Sequence, residues 1–100
     1  MSRGRGNPAP DDLVTRGSDL LTATVDGELL AMSVDRGVCY GLNRVGARAW
    51  ELLETPRSIQ SLCEALVVEF DVEPATCLAE TTELIEGLRA EGLVTVDPAR

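Results

Sequence analysis

Apolar and polar positions divide the chain into a stretch of period two and a longer stretch of helical period. Residues 20–25 (LLTATV) and 28–34 (ELLAMSV) each alternate well enough for a strand. The Asp26-Gly27 pair between them supplies the positive φ angles that a two-residue hairpin turn requires. A second connection, Asp35-Arg36-Gly37, offers glycine where a left-handed backbone is easiest and leads into a third short strand over 38–42 (VCYGL). Three strands with two short connections predict an antiparallel meander whose first and third strands are edges. On the third strand the two-residue period places Val38, Tyr40 and Leu42 on one face and Cys39 and Gly41 on the other.

The helical stretch opens at Asn43, a good N-cap, and residues 44–54 put Val45, Ala49, Leu52 and Leu53 on one face. Thr55-Pro56-Arg57 breaks that helix. Ser58 caps a second one, in which Ile59, Leu62, Cys63, Leu66, Val67 and Phe70 form a buried stripe. Pro74 suits the first turn of a third helix, which runs to about Glu91 before Gly92 closes it. Residues 93–96 (LVTV) predict a wing-like strand packed back on the body. Ahead of the meander, residues 1–12 (MSRGRGNPAPDD) lack the apolar surface that offsets ordering entropy, and Arg16-Gly17-Ser18 reads as a turn. The expected organisation is a flexible arm over 1–18, a single domain over 19–96 and a tail over 97–100. Its expected fold class is α+β and winged helix-turn-helix-like, a three-stranded antiparallel sheet followed by three helices.

Composition narrows the function more by exclusion than by assignment. With 100 residues, 44% of them apolar, the chain can bury one modest core. Tyr40, Trp50 and Phe70 are the only aromatic residues, too few for a platform on which bases stack. Residues 1–50 hold six Arg against six acidic residues and residues 51–100 three Arg against eleven, so the net charge of −8 belongs to the second half. The third helix carries Glu73, Glu80, Glu83, Glu86 and Glu91 against Arg89, the wrong sign for a phosphate backbone, and nucleic acid is not an expected partner. There is no His, and Cys39, Cys63 and Cys77 follow no zinc spacing. With no glycine-rich phosphate loop either, neither a metal, a cofactor nor catalysis is expected. No apolar run follows Arg3 and Arg5, and no stretch approaches the ~20 apolar residues of a membrane span. A cytoplasmic protein with reduced thiols, not engaged with a membrane, is the resulting expectation.

Placed at 100° steps, Leu84, Cys77, Leu88, Thr81, Ile85 and Leu78 share an arc of about 120° on the third helix. Either the whole arc is core, or one flank of it, Cys77, Thr81, Leu84 and Leu88, forms the wall of a groove. An open strand edge beside such a groove suits strand addition, in which a peptide backbone pairs with the sheet and alternate side chains enter apolar pockets.

The run Asp35-Arg36-Gly37-Val38-Cys39-Tyr40-Gly41-Leu42-Asn43, followed by Gly46-Ala47-Arg48-Ala49-Trp50-Glu51-Leu52-Leu53, resembles the PqqD-like proteins of peptide-modification clusters. Ser58-Ile59, Leu62-Cys63, Leu66, Phe70-Asp71-Val72, Leu84-Ile85, Leu88 and Glu91-Gly92-Leu93-Val94 follow in the same order, so the resemblance covers about residues 19–96. It is nearest in character to the stand-alone leader-binding proteins of lasso-peptide clusters. The resemblance implies a RiPP recognition element without catalysis, in which a precursor's leader peptide adds to the third strand and lies against the third helix. It also implies partners, a separate leader peptidase and through it a macrolactam-forming cyclase, with a radical-SAM enzyme as the alternative client. Carried onto this chain, the strand contact falls on Val38, Cys39, Tyr40 and Gly41 and the helix contact on Cys77, Thr81, Leu84 and Leu88. A winged-helix adaptor is the competing reading from another functional class.

Overall fold

The computed structural model describes residues 8–18 and 20–98. Its elements in chain order are β1 (Leu13–Arg16), β2 (Leu20–Val25), β3 (Glu28–Ser33), β4 (Val38–Leu42), α1 (Arg44–Leu52), β5 (Arg57–Ser58), α2 (Ile59–Phe70), α3 (Pro74–Ala90) and β6 (Val94–Asp97). They make an α+β fold with two three-stranded antiparallel sheets, ordered β2-β3-β4 and β5-β1-β6, and three helices. The meander and the helices that follow it are the expected ones. The second sheet is not.

Turn chemistry sets the meander. Asp26 and Gly27 both take positive φ, 53° and 83°, as the hairpin between β2 and β3 requires, and Gly37 at φ 68° closes the next connection. In the register of β3 and β4, Ala31 opposes Tyr40 and Ser33 opposes Val38. Ala31, Ser33 and Leu42 are buried, so this face meets the helices. Each of the first two helices begins at its expected cap. Asn43 accepts from the Gly46 N–H at 2.8 Å and Ser58 from the Ser61 N–H at 3.1 Å. Pro74 occupies the first turn of α3, and Gly92 at φ 78° follows its end. The core runs through all three helices as Leu53, Ile59, Leu62, Leu66, Ile85 and Leu88, joined by Val14, Leu93 and Val94 from the second sheet. Between α1 and α2, Arg48 clips Glu69 at 2.9 Å and Glu51 at 3.0 Å.

The expected flexible arm over 1–18 requires correction. Residues 1–7 lie outside the described residues, but Leu13–Arg16 form the middle strand of the second sheet, with Val14 fully buried opposite Val96. Just before it, Asp12 folds back to accept from the Ala9 N–H at 2.9 Å, and the Pro10 carbonyl accepts from the Gln60 N–H at 2.8 Å. That carbonyl satisfies one of the orphan donors at the start of α2. Arg16 ends β1 with its guanidinium 5.0 Å from the centre of the Trp50 ring. The last strand is also displaced by one residue, running Val94–Asp97 rather than 93–96, so Asp97 is not tail. Residues 99–100 lie outside the described residues.

β1 places its side chains alternately inward and outward, so its two apolar residues respond differently to truncation. Val14→Ala should lower the unfolding free energy by ~1–3 kcal/mol, whereas Leu13→Ala, at a position 41% exposed, should change it little. Urea denaturation of both variants checks this; an unshifted midpoint for Val14→Ala would return β1 to the arm.

Candidate functional site

β4 is an edge strand. Among the described residues it pairs with β3 alone, and its other side is free. Beside that edge lies a groove of about 210 Å³ that gathers Tyr40, Gly41 and Leu42 from β4, Asn43, Val45, Gly46 and Ala49 from the cap and first turns of α1, and Cys77, Glu80, Thr81 and Leu84 from α3. Leu66 and Val72 complete its lining. Two glycines make the close approach possible. A Cβ on Gly46 would sit 3.3 Å from Leu42 Cδ2, so α1 can lie tightly over the strand it leaves. At Gly87, in the interior of α3, an added Cβ would come within 3.1 Å of Tyr40 Cζ and closer still to the phenol oxygen. Glycine costs a helix interior roughly 1 kcal/mol relative to alanine, and here it makes room for the Tyr40 side chain.

The expected site residues therefore separate into groups. Tyr40, Gly41, Cys77, Thr81 and Leu84 come together in the groove. Cys77 and Thr81 are 3% and 4% exposed and Leu84 is half-buried, so the first two form floor and the third forms wall. Cys77 Sγ lies 3.8 Å from Thr81 Oγ1 and 4.0 Å from the Cys63 carbonyl oxygen, which ties the floor of the groove to α2. Val38 is half-buried at the far end of β4 and Cys39 is exposed on the opposite face of the sheet; neither lines the groove. Leu88, 1% exposed, is core beneath the wall and not part of it. The two readings of the α3 arc both hold, one for each flank.

Sequence reasoning missed the α1 wall and Gly87. The small residues Gly46 and Ala49 at helical spacing were the available signal for the first, and a lone glycine inside an apolar helical pattern for the second. Glu80 is the ionisable side chain on the lip, exposed. A larger hollow of about 610 Å³, lined by residues such as Pro10, Val67, Val68 and Leu78, takes no residue from β4 and none of those expected at the site. Among the described residues no group of three or more His, Cys, Asp or Glu could hold a metal ion, and no helix is long and apolar enough to cross a membrane. The arrangement can hold an extended chain by backbone hydrogen bonds along β4 and accept apolar side chains in the groove.

The profile of one family, "Coenzyme PQQ synthesis protein D (PqqD)", matches residues 28–94, from the first residue of β3 to the first of β6. The chain belongs to the PqqD family. β4, the groove and all of α3 lie within the matched span, whereas β1 and β2 precede it. Among solved structures, the chain is similar to one described as "TbiB1 in Complex with the TbiA(beta) Leader Peptide", at 24% identity and a TM-score of 0.71, over 80% of this chain and 93% of that one. At that identity the likeness concerns the fold. No curated protein matches.

Two outcomes follow from the packing. Gly87→Ala should destabilise the fold by ~1–3 kcal/mol despite alanine's higher helix propensity, because the Tyr40 ring must move. In a Tyr40→Ala background the same change should stabilise it; a double-mutant cycle by urea denaturation reads the sign, and equal effects in both backgrounds would mean the contact is absent. Thiol chemistry separates the cysteines. Burial pushes the Cys63 thiol up, against the opposing hydrogen bond from Thr81, and Cys77 is also buried, whereas Cys39 is exposed. Iodoacetamide should modify Cys39 alone in the folded protein and all three thiols in denaturant, as mass spectrometry of the intact chain will show.

Proposed function

We propose that this chain captures the leader peptide of a ribosomally synthesised precursor, adding it as an antiparallel strand to β4 and seating alternate side chains in the groove against α3. The observation that carries the reading is the free edge of β4 held beside a groove to which α3 contributes Cys77, Thr81 and Leu84. Family membership and the fold shared with a leader-peptide complex support it. Val38, Cys39, Tyr40 and Gly41 supply the backbone partners, and Leu88 holds the wall from below. The domain contributes no chemistry of its own. It presents the precursor in the cytoplasm to a separate leader peptidase, and through it to a macrolactam-forming cyclase, as in lasso-peptide assembly. On this reading the winged helix-turn-helix likeness, with β6 in the place of a wing, concerns shape and not groove reading in DNA.

Backbone pairing is best probed on the ligand, where it cannot disturb the fold. Synthetic leader peptides N-methylated at alternate positions should divide into two sets. Methyl groups on amides that face β4 should weaken binding by at least tenfold, and those on amides that face away should not. Fluorescence anisotropy measures both sets, and equal affinity across them would rule out strand addition.

A further inference from the structure

The register of the meander gives it a second apolar face. With Ala31, Ser33 and Leu42 turned to the helices, the period of two turns Leu21 and Val25 of β2, Leu30 and Met32 of β3 and Cys39 of β4 the other way. Leu21 is 57% exposed and Val25 54%, and Cys39 is exposed beside them. The molecule is only 19 Å thick along its shortest axis, enough for one sheet layer and one helix layer at about 10 Å each. Acidic residues stand at the margin, Asp26 and Glu28 at one turn and Asp35 at the other. An aliphatic sheet face open to water contributes nothing to folding and invites association, and such patches on monomers are frequently functional.

What covers this face follows from its size, its charge and its neighbour. Three strands about 4.8 Å apart and five residues long, at about 3.4 Å per residue, present roughly 250 Å² in projection. Stable complexes bury about 800 Å² on each side, so the face alone is too small for a dimer of this chain. Two copies would also bring together equal acidic margins on chains of net charge −8. The face is, however, continuous with the edge of β4. A peptide added there extends it by one strand, and every second side chain of that peptide points onto it.

We infer that the outer face of β2, β3 and β4, together with the outward side chains of the captured leader, is the docking surface for the enzyme that processes that leader, a partner with an apolar contact patch and a basic rim. The inference rests on strand addition at β4. It makes the partner's surface incomplete until the leader is in place, so the enzyme engages the loaded domain in preference to the empty one.

The test uses the full chain, its synthetic leader and the leader peptidase of the same biosynthetic system. Leu21→Arg/Val25→Arg, with both substitutions at exposed positions, should leave leader affinity within about twofold while slowing leader removal by at least tenfold; Leu21→Ser/Val25→Ser serves as a second variant should the first fail to fold. Leader removal at the unmodified rate by a folded variant that still binds the leader overturns this inference and leaves leader capture standing. Absence of leader binding by the unmodified chain overturns leader capture and this inference with it. A dimer of the unmodified chain in sedimentation that the substitutions dissolve assigns the face to a second copy, and also overturns it.

Discussion

The site depends on the contact between the Tyr40 ring and the bare backbone of Gly87. A β-strand and a helix packed through full side chains stand about 10 Å apart, too far for one extended peptide to engage the strand's edge and the helix's flank together. Omitting one side chain from α3 lets the Tyr40 ring fill the gap, so β4 and α3 meet at one point and diverge from it. The groove opens where they diverge, with Cys77, Thr81 and Leu84 lying up to three helical turns N-terminal to Gly87. Gly46 performs the same service for α1, which closes the third side. Helix propensity has been given up at both places to bring elements together, and in both the gain lies in the shape of the groove.

An edge strand is useful only if the chain's own remaining strands do not pair with it. Here β1 and β6, eighty residues apart in sequence, pair with each other and take β5 as a third strand. The backbone groups of the two ends are thereby satisfied within a separate sheet. Neither end competes for β4. The Pro10 carbonyl, bonded to the Gln60 N–H at the start of α2, holds the N-terminal segment against the second helix and away from the meander. The second sheet thus secures both termini and leaves the edge of the first one free.

What was legible in the sequence was whatever local rules decide. Asp26-Gly27, Gly37, Asn43, Ser58, Pro74 and Gly92 each impose a backbone conformation or a cap within a few residues, and the elements they bound lie where their chemistry puts them. The strand Leu13–Arg16 carries no such signal. Four residues with a single inward position are too few for a period to register, and their extended form is imposed by pairing with residues 94–97, which no local pattern announces. The groove was legible in part for a related reason. The apolar arc of α3 could be drawn from spacing, but which flank of it faced the core depended on the angle at which α3 crosses the sheet. That angle is set by Tyr40 and Gly87, 47 positions apart. Leu88 fell on the core side for this reason and Leu84 on the open one.

Charge separates the two uses to which helices laid on a small sheet can be put. A nucleic-acid reader needs cations free to replace counterions along a backbone bearing one charge per ~1.7 Å of duplex. On α3, Arg89 is already bound through both carboxylate oxygens of Glu86, at 2.7 and 2.8 Å, while Glu80 and Glu83 face solvent. On α1, Arg48 is likewise held by Glu69 and Glu51. A strand-adding peptide makes no such demand, because its main-chain hydrogen bonds are neutral and its side chains enter a groove lined mostly by apolar residues. Acidic helix faces then have a consequence of their own. They repel polyanions and leave the uncharged strand edge and the uncharged sheet face as the surfaces where association carries no electrostatic penalty.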